Sequence, residues 1–322
     1  MPEKSYIRTI IEGYHTALEE YDESFLLGED VRHALMGTTR DLVTEFGEER
    51  IIDTPISEQG FHGLAIGAAM DGKRPIIEYQ INTLSYLGMD QLVNNAQRLR
   101  HMTDGQVSIP LTITVPQSGA AGGSAAQHSD NPYPSLLNYG MKTVVPSNAY
   151  DQYGLFLSAV DEDDPVMVYW PASVVGQRTE VPDEPYRIPL GEADVKREGS
   201  DVTVVAVGET VPMALSVAET LSDEASVEVV DPRTLLPLDE ETITDSVRKT
   251  GRLVVADSTY RTCGFAGEIV ARCANENFWE LEAPIKRVTR ADVPISYSPP
   301  EENAVLPDEE TLERALRDVL FL

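Results

Sequence analysis

The sequence predicts an α/β protein made of two doubly wound domains, each a parallel sheet with helices on both faces. Three observations carry this. Short β-branched runs alternate with amphipathic stretches along the chain, which is the pattern of successive strand–helix–strand units. The alternation breaks once, over 171–200, where Pro171, Pro182, Pro185 and Pro189 stand among many charges. It then resumes with an apolar run, Val202-Thr203-Val204-Val205-Ala206-Val207, that reads as a buried strand. The expected division is 1–175 and 195–322, with 176–194 as a linker that has room for one short strand. A length of 322 residues fits two such domains.

In the first domain, strands are expected over 25–27, 51–52, 75–79, 111–115 and 166–169, with helices over 8–20, 60–70, 89–102 and 150–159. In the second, strands are expected over 201–207, 226–230, 252–256 and 285–288, with helices over 211–221, 238–250, 267–279 and 311–320. Asp308-Glu309-Glu310 puts acids at the positive end of the last helix.

Charge narrows the function classes. There are 54 acidic and 25 basic residues, a net charge of −29. A nucleic-acid partner would be repelled, because phosphate binding needs basic clusters. The chain is 42% hydrophobic, too apolar for disorder. Acids spread over the whole chain fit a surface adapted to high salt, where counterions screen self-repulsion; the expected source is a halophile. No run of about 18 apolar residues exists, so no membrane span is expected. The start Met1-Pro2-Glu3-Lys4-Ser5-Tyr6 lacks a basic region followed by an apolar run, so a cytoplasmic location is expected. Cys263 and Cys273 lie too far apart on one helix for a disulfide and read as two buried free thiols.

Ligands of open parallel sheets bind beyond the carboxyl ends of the strands, so polar residues that follow strands are the candidates. Glu58 follows the strand at 51–52 and lies in the first turn of the next helix, behind Ser57. A capping acid that meets the helix dipole and a site carboxyl are both open readings. His128 lies near the end of a glycine- and alanine-rich loop, 118–130, after the strand at 111–115. It reads either as a surface histidine or as a proton-transfer group near a ligand that small residues let approach. His15, His33, His62 and His101 read as solvated or core histidines. No G-x-G-x-x-G opens a helix, no Walker loop exists, and no Gly-Asp-Gly magnesium-diphosphate motif is present.

Longer motifs carry a resemblance. Gly28-Glu29-Asp30-Val31, Asp53-Thr54-Pro55-Ile56-Ser57-Glu58, Arg74-Pro75-Ile76-Ile77-Glu78, Asp90-Gln91, Gly122-Gly123 with His128-Ser129, and Asp231-Pro232-Arg233-Thr234-Leu235-Leu236-Pro237 resemble the beta subunits of thiamine-diphosphate-dependent 2-oxo acid dehydrogenases, nearly end to end and in order. The resemblance implies an N-terminal pyrimidine-binding domain and a C-terminal transketolase-type domain. It implies an α2β2 heterotetramer in which the alpha chain holds the Mg2+ and diphosphate, and a lipoyl-bearing transacylase core as a further partner. The implied activity is oxidative decarboxylation of a 2-oxo acid, pyruvate or branched-chain. Acetoin dehydrogenase, half of a split transketolase, and a non-catalytic assembly protein on the same fold are the alternatives.

Residue by residue, the resemblance makes Glu58 the carboxyl that hydrogen-bonds the aminopyrimidine ring nitrogen and promotes proton loss from the thiazolium carbon. His128 becomes the active-site histidine that orients substrate or assists acyl transfer. Glu29, Glu58 and Asp90 match acids lining a passage between cofactor sites, with Leu87 where some members have a further acid. Leu84 stands where the family has an aromatic near the pyrimidine, and Tyr86 lies two residues on. Leu111, Ala159, Val160, Glu162 and Asp164 match a structural potassium site of some members.

Overall fold

A computed structural model describes residues 1–117 and 123–321. The chain divides into two compact units, Met1–Ser118 with Ser135–Leu190, and Gly119–Pro134 with Gly191–Leu322. The second unit therefore includes a segment that lies early in the sequence, which the contiguous expectation lacked.

The strands of the first unit are β1 (Glu3–Ser5), β2 (Ser24–Gly28), β3 (Ile51–Asp53), β4 (Arg74–Glu78), β5 (Thr112–Gln117), β6 (Lys142–Val144), β7 (Val166–Pro171) and β8 (Arg178–Glu180). Its main sheet runs β6-β7-β5-β4-β2-β3, and every neighbouring pair is parallel. β1 and β8 form a separate antiparallel ribbon. Side chains alternate across a strand. Leu26, Ile76, Val166 and Val168 join one core with the helices Tyr6–Glu20 and Ala149–Asp161. Their chain neighbours Leu27, Ile77 and Met167 point the other way and are just as buried. Burial on both faces is why these strands read as continuous apolar runs. The two helices meet closely: Tyr14 packs edge-on to Phe156 with ring centroids 5.3 Å apart.

The strands of the second unit are β9 (Asp194–Arg197), β10 (Val202–Ala206), β11 (Val227–Asp231), β12 (Thr234–Leu236), β13 (Leu253–Tyr260) and β14 (Lys286–Arg290). The sheet order is β14-β13-β10-β11-β9. It is parallel except for β9, which pairs antiparallel with β11. Helices Thr210–Thr220 and Glu309–Leu320 supply apolar side chains to the core on one face. The last helix starts on a capping box between Asp308 and Thr311.

Several expectations are corrected. The stretch expected to be linker carries two strands, β8 and β9, because β9 has the polar alternation of an edge strand and no apolar run. β1, β6 and β12 are three-residue strands too short to leave a periodic signal. The helix expected over 89–102 is Leu84–Asp90, a widened turn over Gln91–Gln97, and Leu99–Met102. Only Cys273 is buried; Cys263 is exposed, in the turn before the helix Phe265–Glu276. No helix among the described residues is long and apolar enough to cross a membrane.

Candidate active site

In the first unit, the carboxyl ends of the parallel strands gather the candidate residues. Glu29 directly follows β2, Glu58 opens the helix after β3, and Tyr79 directly follows β4. The strands can end side by side because Gly28 has no side chain: a Cβ there would lie 2.3 Å from the Glu78 carbonyl oxygen.

Glu58 is the first residue of the helix Glu58–Met70 and is buried. Ser57 precedes it at the N-cap but makes no side-chain capping bond. One turn on, His62 is fully buried and its Nδ1 lies 2.5 Å from the Glu58 carbonyl oxygen. A carbonyl only accepts, so Nδ1 carries the proton and donates. Nε2 then accepts from the Tyr79 hydroxyl. Burial pushes His62 down to about 4, despite its bond to the Glu58 carbonyl. Burial pushes Tyr79 well up, and Tyr169, Glu58 and Glu29 add to it. Both groups are therefore neutral near pH 7, and the chain from Tyr79 through His62 to Glu58 has one direction. The first helical turn is thereby fixed by a side chain from β4's end. A Cβ at Gly88 would come within 2.7 Å of His62 Cε1, so the glycine leaves room for the ring.

Glu29 lies close enough to Glu58 to feel its charge. Burial first, then Glu58 and Asp30, raise the Glu29 carboxyl above its ordinary range. Its Oε1 is buried and has no hydrogen-bond partner among the described residues. Glu78, at the end of β4, is fully buried and is pushed up to about 7 by burial, partly offset by Thr38 Oγ1, which donates to it at 2.5 Å. Leu84 is buried, while Tyr86 and Leu87 are exposed. The structure thus brings Glu29 and Glu58 together. Asp90 ends the helix Leu84–Asp90, is exposed, and accepts from Asn94 at 2.6 Å.

His62, Glu78 and Tyr79 belong to this cluster; the sequence marked His62 only as a solvated or core histidine, and it is a buried one, while Glu78 and Tyr79 were not singled out as site residues. Tyr79 directly follows a strand, and His62 lies one helical turn from Glu58; that pairing was the available signal.

His128 belongs to the second unit, in the short helix Ala126–Ser129, and is exposed. Its Nδ1 is 3.2 Å from the Ser124 carbonyl oxygen, so Nδ1 donates. Residues 118–122 of the glycine- and alanine-rich run before it, Gly122 among them, lie outside the described residues.

The positions expected to hold potassium already have protein partners. Arg74 Nη1 donates to the carbonyls of Val160 at 2.6 Å and Glu162 at 3.1 Å. The Leu111 carbonyl accepts from Val166 N and the Ala159 carbonyl from Thr112 Oγ1. The Glu162 and Asp164 carboxylates share Lys142, and Arg100 also pairs with Asp164. A cation there would have to share these oxygens with three cationic side chains.

Beyond the ends of its parallel strands the first unit thus holds a buried carboxyl, Glu58, beside a second, Glu29, with an unsatisfied oxygen. The family description "Transketolase, pyrimidine binding domain" matches residues 4–177, and "Transketolase, C-terminal domain" matches 191–312. A split-gene transketolase structure, solved as an inactive beta4 tetramer, shares this fold with a TM-score of 0.77 at 23% identity, over 98% of this chain and 97% of that one.

Among curated proteins, the beta subunit of acetoin:2,6-dichlorophenolindophenol oxidoreductase of Bacillus subtilis is 39% identical over 97% of this chain and 95% of its own length. The pyruvate dehydrogenase E1 beta subunit of Rickettsia bellii is 38% identical over 98% and 99%. The 2-oxoisovalerate dehydrogenase beta subunit of Bacillus subtilis is 36% identical over 98% of each chain. The chain belongs to the beta subunits of the thiamine-diphosphate-dependent 2-oxo acid dehydrogenases.

Proposed function

We propose that this chain, with an alpha subunit in an α2β2 tetramer, decarboxylates a 2-oxo acid and passes the acyl group to a lipoyl-bearing transacylase. The observation that carries the reading is the buried Glu58 carboxyl beside Glu29, whose buried Oε1 has no partner among the described residues. An aminopyrimidine fits such a place: it offers nitrogen donors and acceptors to carboxyls and a flat face to Leu84.

When bound, thiamine diphosphate supplies the electron sink that lets carbon dioxide leave a 2-oxo acid. Glu58 would hold and exchange a proton at the pyrimidine ring nitrogen. Tyr79 and His62 fix the turn that aims it. Glu29, raised first by burial and then by the charge of Glu58, would share a proton with it. Leu84 and Tyr86 would give the ring apolar contact, and Asp90 would extend the acidic passage. His128 would orient the substrate or help hand on the acyl group through Nε2. The alpha chain would hold Mg2+ and the diphosphate; this chain has no sequence motif for them.

Identities of 36–39% to enzymes named for three substrates do not select among them. Pyruvate and branched-chain 2-oxo acids are the leading substrates of this reading. Acetoin, the substrate in the name of the 39% identical relative, is the second reading. The test is reconstitution with the alpha chain and thiamine diphosphate, followed by turnover of a 2-oxo acid panel and acetoin with a dye acceptor. Turnover of acetoin alone would replace the first reading with the second. No turnover of any, with alpha chain and cofactor bound, would favour an assembly role.

Three finer readings join it. Potassium would share the oxygens of Leu111, Ala159, Val160, Glu162 and Asp164 with Arg74; a thallium soak without an anomalous peak there removes it. A high-salt, cytoplasmic setting accords with a charge of −29. There, the melting temperature should climb with KCl as self-repulsion is screened. A flat curve from dilute to molar salt would reject the salt adaptation.

A further inference from the structure

The second unit carries the 123–134 segment on a row of polar tethers. Gly123 N donates to Glu302 Oε2 at 2.9 Å. Arg290 Nη2 donates to Asp130 Oδ1 at 2.5 Å. Asn131 Nδ2 donates to Ser258 Oγ at 3.0 Å, and the Tyr133 hydroxyl donates to Asp257. The partners come from β13, from the end of β14, and from the helix Pro299–Asn303. His128 stands between the first tether and the second, two residues before Asp130.

The Arg290–Asp130 pair differs from the rest in kind. The Arg290 side chain is 1% exposed, and Asp130 is 17% exposed. The guanidinium lies over the Tyr260 ring, 3.6 Å from its centroid, which lets a cation sit with little water. Its Nε is buried and unpartnered among the described residues. Desolvating an arginine this far is seldom repaid by one ion pair, and buried pairs are better attested as devices that fix register. What this pair registers is the histidine segment.

We propose that Arg290 is a positioning residue: through Asp130 it holds the segment that presents His128 to the reaction. The inference rests on the proposed role of His128. A charged, directional tether two residues away sets where the imidazole stands, and a displacement near 1 Å can cost about a hundredfold in rate.

The test uses the chain reconstituted with its alpha subunit and cofactor. Arg290→Met should lower kcat by roughly tenfold to a hundredfold and change KM far less. Arg290→Lys, which keeps the charge, should recover most of the loss. In a chain already carrying His128→Ala, Arg290→Met should add no further loss, because effects transmitted through one group do not add. An equal loss in both backgrounds would overturn the proposal in favour of a general structural role. Amide hydrogen exchange over 123–134 should quicken in Arg290→Met while the helix Glu309–Leu320 stays protected. Unchanged exchange there, with turnover still lost in His128→Ala, overturns the tether and leaves the histidine its role. Full turnover in His128→Ala overturns the histidine's role, and the proposal with it.

Discussion

The two units share a plan and differ in how far the chain itself satisfies the acids at the carboxyl ends of their strands. Each places buried or half-buried acids there. In the first unit these are Glu78, raised to about 7, and Glu58 with Glu29. In the second they are Glu209, raised to about 7, and Asp257, also raised; burial is the main cause in both. Asp257 is nonetheless satisfied by the chain itself, through Tyr133 and Thr259. Glu29 Oε1 and Glu78 Oε2 in the first unit, and Glu209 Oε2 in the second, are buried without a partner among the described residues. A buried acid closed by its own chain works as an anchor, and one left unsatisfied is suited to a ligand.

The largest expected effect tests that contrast directly. Glu58→Gln should cut turnover about 10²–10⁴-fold in the reconstituted enzyme, with melting temperature and assembly unchanged. Activity like the parent protein would end the catalytic assignment. Asp257→Ala should do the reverse in kind, lowering unfolding free energy by about 3 kcal/mol because Tyr133 and Thr259 lose their acceptor. A chain of parent stability would mean that this acid anchors nothing.

The raised acids give a pH signature. An acid raised in the folded state binds its proton more tightly there, so its stabilising contribution is full below 4.5 and is lost as pH rises to about 7. His62, lowered to about 4 from 6.5, acts oppositely within its own window. Glu78→Gln keeps an acceptor for Thr38 and removes one of the acidic contributions. Between pH 5 and 8 it should flatten the decline in stability by about 2–3 kcal/mol. Identical slopes in denaturant titrations would show that burial of Glu78 is relieved by water. The smallest effect is expected from Tyr79→Phe, which deprives His62 Nε2 of its donor. A loss of turnover near tenfold, about 1.4 kcal/mol, would place the tyrosine in the support of Glu58; an unaltered rate would confine it to packing.

Legibility in the sequence followed the physics of each element. Strands buried on both faces, such as β10, announce themselves as apolar runs. The polar edge strand β9 did not, since its alternation resembles a charged linker. Glu58 stood out through its motif, yet local reasoning left a capping acid open; the structure shows no capping bond from its neighbour Ser57 and a histidine fixing its carbonyl. His62 and Tyr79 were missed because their contact joins a helix to a strand end, beyond any local period. The membership of Gly119–Pro134 in the second unit was illegible for a stronger reason. Its anchors lie far along the chain, and no pattern within the segment names them.

That distance has a consequence for how the molecule is made. Asp130 and Arg290 are separated by 160 positions. On a ribosome adding about 5–20 residues per second, the segment with His128 emerges many seconds before its anchor does. The first unit's parallel strands β2 to β7 have all been made by Pro171. The histidine segment must wait for β14, so its ordering comes late in synthesis, after most of the chain has found its place.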